Sequence, residues 1–316
     1  MRRSFIAWGI VVATLLAIAA STVLVLNVST YSAHATVQRY VTALSEGRTE
    51  DAARIAGVDP ASVAPVAVES DHRITNIVVM DGVSADGVVT VEVRATVLGQ
   101  TVTFTPVLVP APALGGIFTQ WTFAEPPVAS ATVDASPVNS ALINGAVTDT
   151  TSAVSVLVPG VMSVTSASSW FTAADQVAVV SATSAPHIAL NLRPSDVFRD
   201  TVGQHVTDYL DDCAAQHVMF PVQCPFGAST DNPIHDGPRW IIVEYPQLQF
   251  SRTASDRAAG SWTVRGTGVV DLEATLVDIA TGTLFPVDTR QRFAITAAVT
   301  GLDTDSPQIT VRNPAN

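Results

Sequence analysis

The segment Phe5–Val28 constrains the chain most, because it contains no Asp, Glu, Lys or Arg. As an α-helix it would extend about 36 Å, which exceeds the roughly 30 Å hydrocarbon core of a bilayer. Two arginines precede it, and no basic residue follows until Arg39. The positive-inside rule therefore predicts that residues 1–4 are a cytoplasmic tail, that residues 5–28 are a transmembrane anchor in the cell membrane, and that the bulk of the chain is extracytoplasmic.

A cleaved signal peptide is the alternative interpretation of this segment, because Ala17-Ile18-Ala19 looks like a small-residue cleavage site. The apolar core of a signal peptide usually covers only about 7 to 15 residues, and here a second apolar run, Val23–Val28, follows that site. We therefore expect an uncleaved anchor. Because no other stretch has the uncharged length of a second span, the chain is predicted to cross the membrane once.

The charge of the chain limits its partners. The formal net charge is −12, and removing the two arginines of the predicted cytoplasmic tail leaves −14 on the exterior. Nucleic acids and anionic lipid headgroups both require a basic surface, so neither is expected as a partner. The sequence contains no lysine, a bias that is similar to that of proteins from high-GC bacteria.

The exterior is long enough for more than one hydrophobic core, since roughly 290 residues follow the anchor. The predicted fold class is α+β. Two modules, each with a helix followed by an antiparallel sheet, are expected at residues 31–124 and 191–316, and they flank a small all-β module at residues 125–190.

The first module is predicted to begin with a helix, because apolar residues recur there at the spacing i, i+3, i+4 and i+7. These residues are Val37, Tyr40, Val41 and Leu44. Gly47 is expected to end this helix, and Thr49 is expected to cap a second, shorter one.

Strands follow the two helices. Between Val89 and Val97 every odd position is apolar and every even position is polar, which predicts one strand with a buried face. Turn residues on both sides predict antiparallel neighbours at Ile74–Met80 and Thr101–Val109, and a last strand is expected at Ile117–Phe123.

This order of elements, together with RYVTALSEGRTEDAARIAG (Arg39–Gly57), resembles the opening of NTF2-like (cystatin-like) modules, which bacteria often place outside a single membrane span. The resemblance covers residues 31–124. It implies a conical pocket, in which an acid and a tyrosine or histidine point inward in the members that are enzymes. The residues of this module that such a pocket would use are Tyr40, Asp71 and His72. Because the inward strand positions are apolar, packing or ligand binding is favoured over catalysis.

Residues 125–190 are rich in Ser, Thr, Ala and Val and nearly uncharged. Disordered segments usually combine low hydrophobicity with high charge, so we expect a folded β module instead. The runs Ala153–Val158 and Val161–Val164 are predicted to be strands joined by a hairpin at Pro159-Gly160, similar to that of small sandwich modules.

The second α+β module is predicted to begin with a helix that Ser195 caps and whose apolar face ends at Cys213. Its strands are expected at Trp240–Tyr245, Trp262–Asp278 and Phe293–Thr300.

The chain has two cysteines, Cys213 and Cys224. In an oxidising exterior this spacing favours a disulfide, which would stabilise the fold by roughly 3 kcal/mol. Zinc ligation together with His217 and His235 is an alternative, but the spacing C-x3-H-x6-C-x10-H matches no standard zinc motif, and no metal site is predicted. A reactive thiol is a further alternative, which the neighbouring acidic residues disfavour because they would raise the thiol pKa.

The sequence lacks the GxSxG, HExxH and GxGxxG motifs and a phosphate-binding glycine loop. We therefore expect a non-enzymatic binding or scaffolding protein of the bacterial cell envelope, without a cofactor, whose partner is an envelope protein or a cell-wall polymer. Two alternatives stay open: an envelope enzyme with a pocket site in one NTF2-like module, and a single-pass sensor. Convergence of several polar groups in one pocket would favour the enzyme.

Overall fold

The computed structural model describes residues 2–69, 72–114, 117–184, 186–304 and 306–312. The fold is α+β, with many strands and few helices. The chain forms two compact units. The first comprises Met1–Asp134, Ser140–Thr165 and Ala174–Leu190, and the second comprises Ala135–Asn139, Ser166–Ala173 and Asn191–Asn316. The predicted modules 31–124 and 125–190 thus fall largely within one unit, and the division into three modules stays a prediction.

Helix α1 (Arg2–Ser29) contains the apolar N-terminal segment. Among the described residues it is the one helix that is long and apolar enough to cross a membrane, and none of the side chains from Val12 to Ser29 is buried. Asn27, in its last turn, donates a hydrogen bond from Nδ2 to the Ile117 carbonyl (3.1 Å) and accepts one at Oδ1 from the Thr119 amide (2.9 Å). The end of the apolar helix is therefore attached directly to the folded part of the first unit.

Three residues separate helix α2 (Ala33–Ser45) from the end of α1. Ser32 caps α2 by accepting a hydrogen bond from the Ala35 amide. The predicted apolar stripe is confirmed, because all four of its side chains are buried. Helix α3 (Thr49–Ala56) ends at Gly57, whose φ of +78° lies in the left-handed region that glycine adopts readily.

The prediction that Thr49 caps α3 is wrong. Arg48 occupies the cap position, where its side chain makes no capping hydrogen bond, and Thr49 is the first helical residue. The hydroxyl of Thr49 instead accepts a hydrogen bond from the Val66 amide (2.9 Å), so tertiary contact replaces the local cap.

Seven strands follow in the first unit and form two antiparallel sheets, in the orders β1-β4-β5 and β2-β3-β6-β7. The strands are β1 (Thr75–Val79), β2 (Val83–Ala85), β3 (Val88–Thr90), β4 (Val93–Val97), β5 (Gln100–Phe104), β6 (Val107–Leu114) and β7 (Phe118–Phe123).

The strand predicted from Val89 to Val97 is divided between the two sheets, since β3 and β4 lie on either side of Val91. The Val91 amide donates to the Pro106 carbonyl (3.1 Å). The strand predicted at residues 101–109 is likewise interrupted at Pro106, which has no amide hydrogen for a ladder. The alternation itself is confirmed, because the odd positions from Val91 to Val97 are buried.

A second group of strands in the first unit forms the sheets β10-β9-β12-β14 and β11-β8-β15. They are β8 (Val128–Asp134), β9 (Ser140–Ile143), β10 (Ala146–Asp149), β11 (Val154–Leu157), β12 (Gly160–Ser166), β14 (Gln176–Val180) and β15 (His187–Ala189). The predicted hairpin at Pro159-Gly160 is wrong, because β11 and β12 belong to different sheets and the chain passes there from one sheet to the other. Gly160 is required at that point, since a Cβ would lie 2.6 Å from the Leu157 carbonyl oxygen.

The second unit contains α4 (Asp196–Ala214), which Ser195 caps as predicted by accepting from the Phe198 amide, and the short α5 (Ala254–Ala258). Helix α4 packs on the sheet β17-β19-β20-β21, in which β18 also pairs with β19, while β13 and β16 form a separate pair. The strands are β13 (Phe171–Thr172), β16 (Arg193–Pro194), β17 (Ile234–Glu244), β18 (Gln249–Ser251), β19 (Trp262–Val277), β20 (Leu284–Thr300) and β21 (Gln308–Arg312).

Candidate functional site

Tyr40, the first residue of the predicted pocket, lies on α2 and is fully buried. Its hydroxyl donates to the Val158 carbonyl (2.8 Å), and the Pro127 carbonyl lies 3.3 Å away. Its ring contacts that of Phe123, with 5.1 Å between the centroids. Burial raises the pKa of Tyr40 above its ordinary value, so the phenol stays neutral. The hydroxyl is therefore engaged in holding α2 to the β11–β12 connection.

His72, the second residue of that pocket, has Nδ1 3.2 Å from the carboxylate of Glu69. Asp71, the third, lies outside the described residues. Among the described residues, no hydrogen bond or ion pair joins Tyr40 to His72. The pocket formed by these three side chains stays a prediction.

An open cleft of about 510 Å³ is lined in part by Pro127 and Val158, whose carbonyls contact the Tyr40 hydroxyl. Its walls include Phe104, Pro127 and Val158, and its lining is mostly apolar. Among the described residues of that lining, Glu125 is the one ionisable side chain. The cleft can accommodate an apolar side chain or a small ligand, and its described lining residues do not pair an acid with a base.

The cysteines are joined in a disulfide, with the Cα atoms of Cys213 and Cys224 5.7 Å apart. Both are buried, and the bond connects the last turn of α4 to the segment that precedes β17. The His217 ring approaches the Pro238 carbonyl (3.2 Å), and His235 is exposed on β17. Within the part of the chain that the structure describes, no group of three or more His, Cys, Asp or Glu side chains is placed to hold a metal ion.

We call residues 213–224 the disulfide loop. Polar contacts hold it in addition to the sulfur bridge. The Gln216 side chain accepts from the Val222 amide (2.7 Å), and the Trp240 indole donates to the Val218 carbonyl (2.8 Å). The Tyr209 hydroxyl donates to the carbonyl of Gln223. Helix α4 and strand β17 thus fix the loop from both sides.

Three large apolar side chains of the disulfide loop are exposed, at alternating positions. The exposed fractions are 46% for Val218, 62% for Phe220 and 72% for Val222. The ring of Phe220 lies over Gly227, where a Cβ would come within 2.7 Å of the ring. The loop therefore presents an aromatic residue flanked by two valines on a constrained backbone.

A groove on the α2–α3 face of the first unit contains several arginines. Two clefts of about 330 and 290 Å³ share Arg39, Arg54 and Ile55 as lining residues, and we call the combined feature the arginine groove. A hydrogen bond from Arg48 holds the pKa of Asp51 below its ordinary value. The ends of the groove are lined by Arg48 and Asp51 on one side and by Tyr31 and Trp121 on the other.

Comparisons with models of known protein families, with curated proteins and with solved structures find no match. The fold and its surfaces define the class of the molecule as an α+β protein with one N-terminal helix long and apolar enough to span a membrane and a disulfide in its second unit. The resemblance of residues 31–124 to NTF2-like modules stays a prediction.

Sequence reasoning did not identify Asn27, the exposed side chains of the disulfide loop or the arginine groove. Asn27 had a signal, because it is a polar residue at the end of a long apolar run. The alternation of Val218, Phe220 and Val222 was also visible, but it does not show which side chains are exposed. The groove had no local signal, since residues about 80 positions apart form it.

Proposed function

We propose that the protein is a membrane-anchored, extracytoplasmic, non-enzymatic scaffold of the bacterial cell envelope, and that the disulfide loop is its contact surface for an envelope protein. The exposed side chains of Val218, Phe220 and Val222 carry this proposal, because a constrained loop that exposes an aromatic residue has the properties of a binding anchor.

The constraint on the loop favours binding. Ordering a flexible segment on binding costs free energy, and the disulfide together with the Gln216 and Trp240 hydrogen bonds has already ordered this one. Complete burial of a phenylalanine side chain away from water contributes about 1.5–3 kcal/mol of favourable free energy. Phe220, with 62% of its surface exposed, offers a large part of that contribution to a partner.

Two features together support this location. An apolar helix of this length favours a bilayer, and disulfides persist in oxidising compartments outside the cytoplasm. The charge distribution around the helix favours a cytoplasmic N-terminus, an orientation that agrees with a disulfide loop outside the cell membrane.

A non-enzymatic role is favoured over an envelope enzyme by the chemistry around Tyr40. Catalysis by acid and base requires polar groups that converge on a reacting atom. The Tyr40 hydroxyl is engaged with backbone carbonyls, and Glu125 is the one ionisable residue among the described residues that line the cleft at Pro127 and Val158.

Site-specific photo-cross-linking in intact cells tests the proposal. A photoreactive amino acid replaces Phe220 in the full-length chain, and the matched control replaces Val147, an apolar residue that is 71% exposed on β10. We expect a discrete adduct with an envelope protein from position 220 and none from position 147. Recovery of the full-length chain from the soluble cytosol, or the absence of adducts from positions 218, 220 and 222 in membranes, would refute the scaffold.

A further inference from the structure

The part of the first unit that follows the apolar helix α1 begins directly at the end of that helix. Three residues separate α1 from α2, and Asn27 binds the backbone on both sides of Phe118. Tyr31, in the short connection, stacks on the Phe118 ring with 4.8 Å between the centroids. This inference rests on the proposed function, in which α1 spans the membrane. Under that condition, the connection and the start of β7 lie at the level of the lipid headgroups.

Arg39 lies close to the same level. Its Nε donates to the Ala35 carbonyl (3.3 Å), and its Nη2 donates to the Thr36 hydroxyl (3.2 Å). The guanidinium therefore folds back to the first turn of α2, as side chains of a helix point toward its N-terminus. Ala35 and Thr36 lie two or three residues after the start of α2, which corresponds to about 3–5 Å along the helix. This distance is smaller than the thickness of the headgroup layer, which is roughly 5–7 Å on each side of the hydrocarbon.

Arg39 differs from the other arginines in the groove in its hydrogen-bond partners. Arg48 pairs with Glu46 and Asp51, and Arg54 pairs with Asp51 (2.9 Å). Among the described residues, Arg39 contacts only neutral acceptors and no carboxylate. Within the described part of the chain, Arg39 is thus the arginine of the groove whose charge is available to an anionic ligand.

Aromatic residues complete the part of the groove nearest the membrane. Tyr31 and Trp121 line it together with Arg39 and Thr119. Tyrosine and tryptophan are enriched where a protein meets the membrane–water interface, because their rings accept an apolar neighbour on one side and a polar one on the other. Arginine is well suited to phosphate because its planar guanidinium donates two parallel hydrogen bonds.

We propose that the arginine groove binds the phosphate of an anionic phospholipid headgroup in the outer leaflet, with Arg39 as the principal contact and Tyr31 and Trp121 beside the glycerol backbone. The exterior carries a net charge of −14 without the two N-terminal arginines, so an anionic membrane repels the chain as a whole. The arginine groove is a local site of attraction on this acidic exterior. It would hold the first unit against the membrane in one orientation.

The test uses the full-length protein in nanodiscs of phosphatidylcholine that contain a minor fraction of phosphatidylglycerol. Native mass spectrometry of the released protein measures which phospholipid is retained. We expect enrichment of phosphatidylglycerol over its bulk fraction by about fivefold, the factor that one arginine near an anionic surface contributes. The enrichment should be lost in Arg39→Gln and reduced but not lost in Arg39→Lys, which retains the positive charge without the planar guanidinium.

The matched control is Arg94→Gln. Arg94 is exposed on β4 of the same unit and pairs with Glu92 at 2.8 Å, so the substitution makes the same change in net charge away from the groove. Equal enrichment in Arg39→Gln and Arg94→Gln would overturn the proposal. A separate arm adds soluble glycerol phosphate to nanodiscs of phosphatidylcholine alone and follows the tryptophan fluorescence. Saturable, Arg39-dependent binding there, without enrichment of phosphatidylglycerol, would assign the groove to a soluble anion and overturn the lipid assignment.

The two proposals fail in different ways. Insertion into nanodiscs without enrichment of phosphatidylglycerol would overturn the headgroup site and leave the scaffold intact. Recovery of the chain outside the nanodiscs would overturn the membrane anchor, and the headgroup site with it.

Discussion

Tyr40 and Val158 lie 118 residues apart in the chain, and a hydrogen bond of 2.8 Å joins the phenol of the first to the carbonyl of the second. The bond connects helix α2 to the segment between β11 and β12 inside the first unit. Both residues are buried, so no water replaces the donor when it is removed. This single contact joins sequence segments that were predicted as separate modules.

The first prediction concerns the substitution Tyr40→Phe. The Val158 carbonyl loses its donor in a buried position, whereas the Pro127 carbonyl still accepts from the Val158 amide (2.9 Å). We expect the free energy of unfolding to fall by about 1–3 kcal/mol, the cost of one unsatisfied buried group. Urea denaturation measures the free energy of unfolding. Tyr31→Phe is the control, and an equal loss of stability in both variants would contradict a stabilising hydrogen bond between Tyr40 and Val158.

The second prediction is a pH dependence that comes from the same phenol. The pKa of Tyr40 is raised in the folded protein above its ordinary value of 10.0 because of burial. The unfolded chain therefore releases the proton first, and the stability from Tyr40 is present below pH 10.0 and is lost as the pH rises above it. The difference in unfolding free energy between wild type and Tyr40→Phe should shrink in that range. A constant difference would contradict the prediction.

The third prediction concerns the disulfide. The double substitution of Cys213 and Cys224 by serine should lower the free energy of unfolding of the second unit by roughly 3 kcal/mol, because the unfolded chain is no longer closed into a loop of about a dozen residues. Calorimetry measures the change. Alkylation followed by mass measurement tests the bond itself, and two modified thiols before reduction would refute it.

Local patterns predicted those parts of the fold that depend on local physics. The apolar stripe of α2 and the cap at Ser195 are confirmed, since spacing and hydrogen-bonding side chains within four residues determine both. The alternation from Val91 to Val97 correctly identifies a buried face. Alternation does not tell which strand is the neighbour, so the division of that segment between two sheets was not predicted.

One hairpin that was not predicted has a recognisable turn dipeptide in the sequence. Strands β2 and β3 are joined at Asp86-Gly87, where both residues have positive φ (50° and 81°). Asp-Gly is a dipeptide typical of two-residue hairpins. The arginine groove had no such signal. The net charge of the whole chain describes the average surface and conceals a local cluster such as Arg39 with Arg54.

The fourth prediction separates binding from folding in the disulfide loop. Phe220→Ala should change the free energy of unfolding by less than about 1 kcal/mol, because the ring is largely exposed. Cross-linking from the neighbouring position 222 to the partner should nevertheless be lost.

The control for this substitution is Phe226→Ala. Phe226 is buried and contacts Trp240 (5.0 Å) and Phe293 (5.5 Å), so its removal should cost about 3–5 kcal/mol. Undiminished cross-linking in Phe220→Ala would show that the loop is not the contact surface.

The last prediction concerns the attachment of α1 to the first unit. Asn27→Ala removes the acceptor of the Thr119 amide, which lies at the start of β7. The net contribution of one such hydrogen bond is about 0.5–1.5 kcal/mol, so the Thr119 amide should exchange its hydrogen about two- to tenfold faster. Hydrogen exchange of the full-length protein in nanodiscs measures the rate. Ser29→Ala is the control, because the Ser29 hydroxyl donates to the Val25 carbonyl within the helix (2.7 Å) and, among the described residues, otherwise meets the hydroxyl of the adjacent Thr30 (3.4 Å). An unchanged rate in Asn27→Ala would mean that the helix and β7 are not coupled through this side chain, and that the level of the arginine groove relative to the membrane is set by the connection around Tyr31 instead.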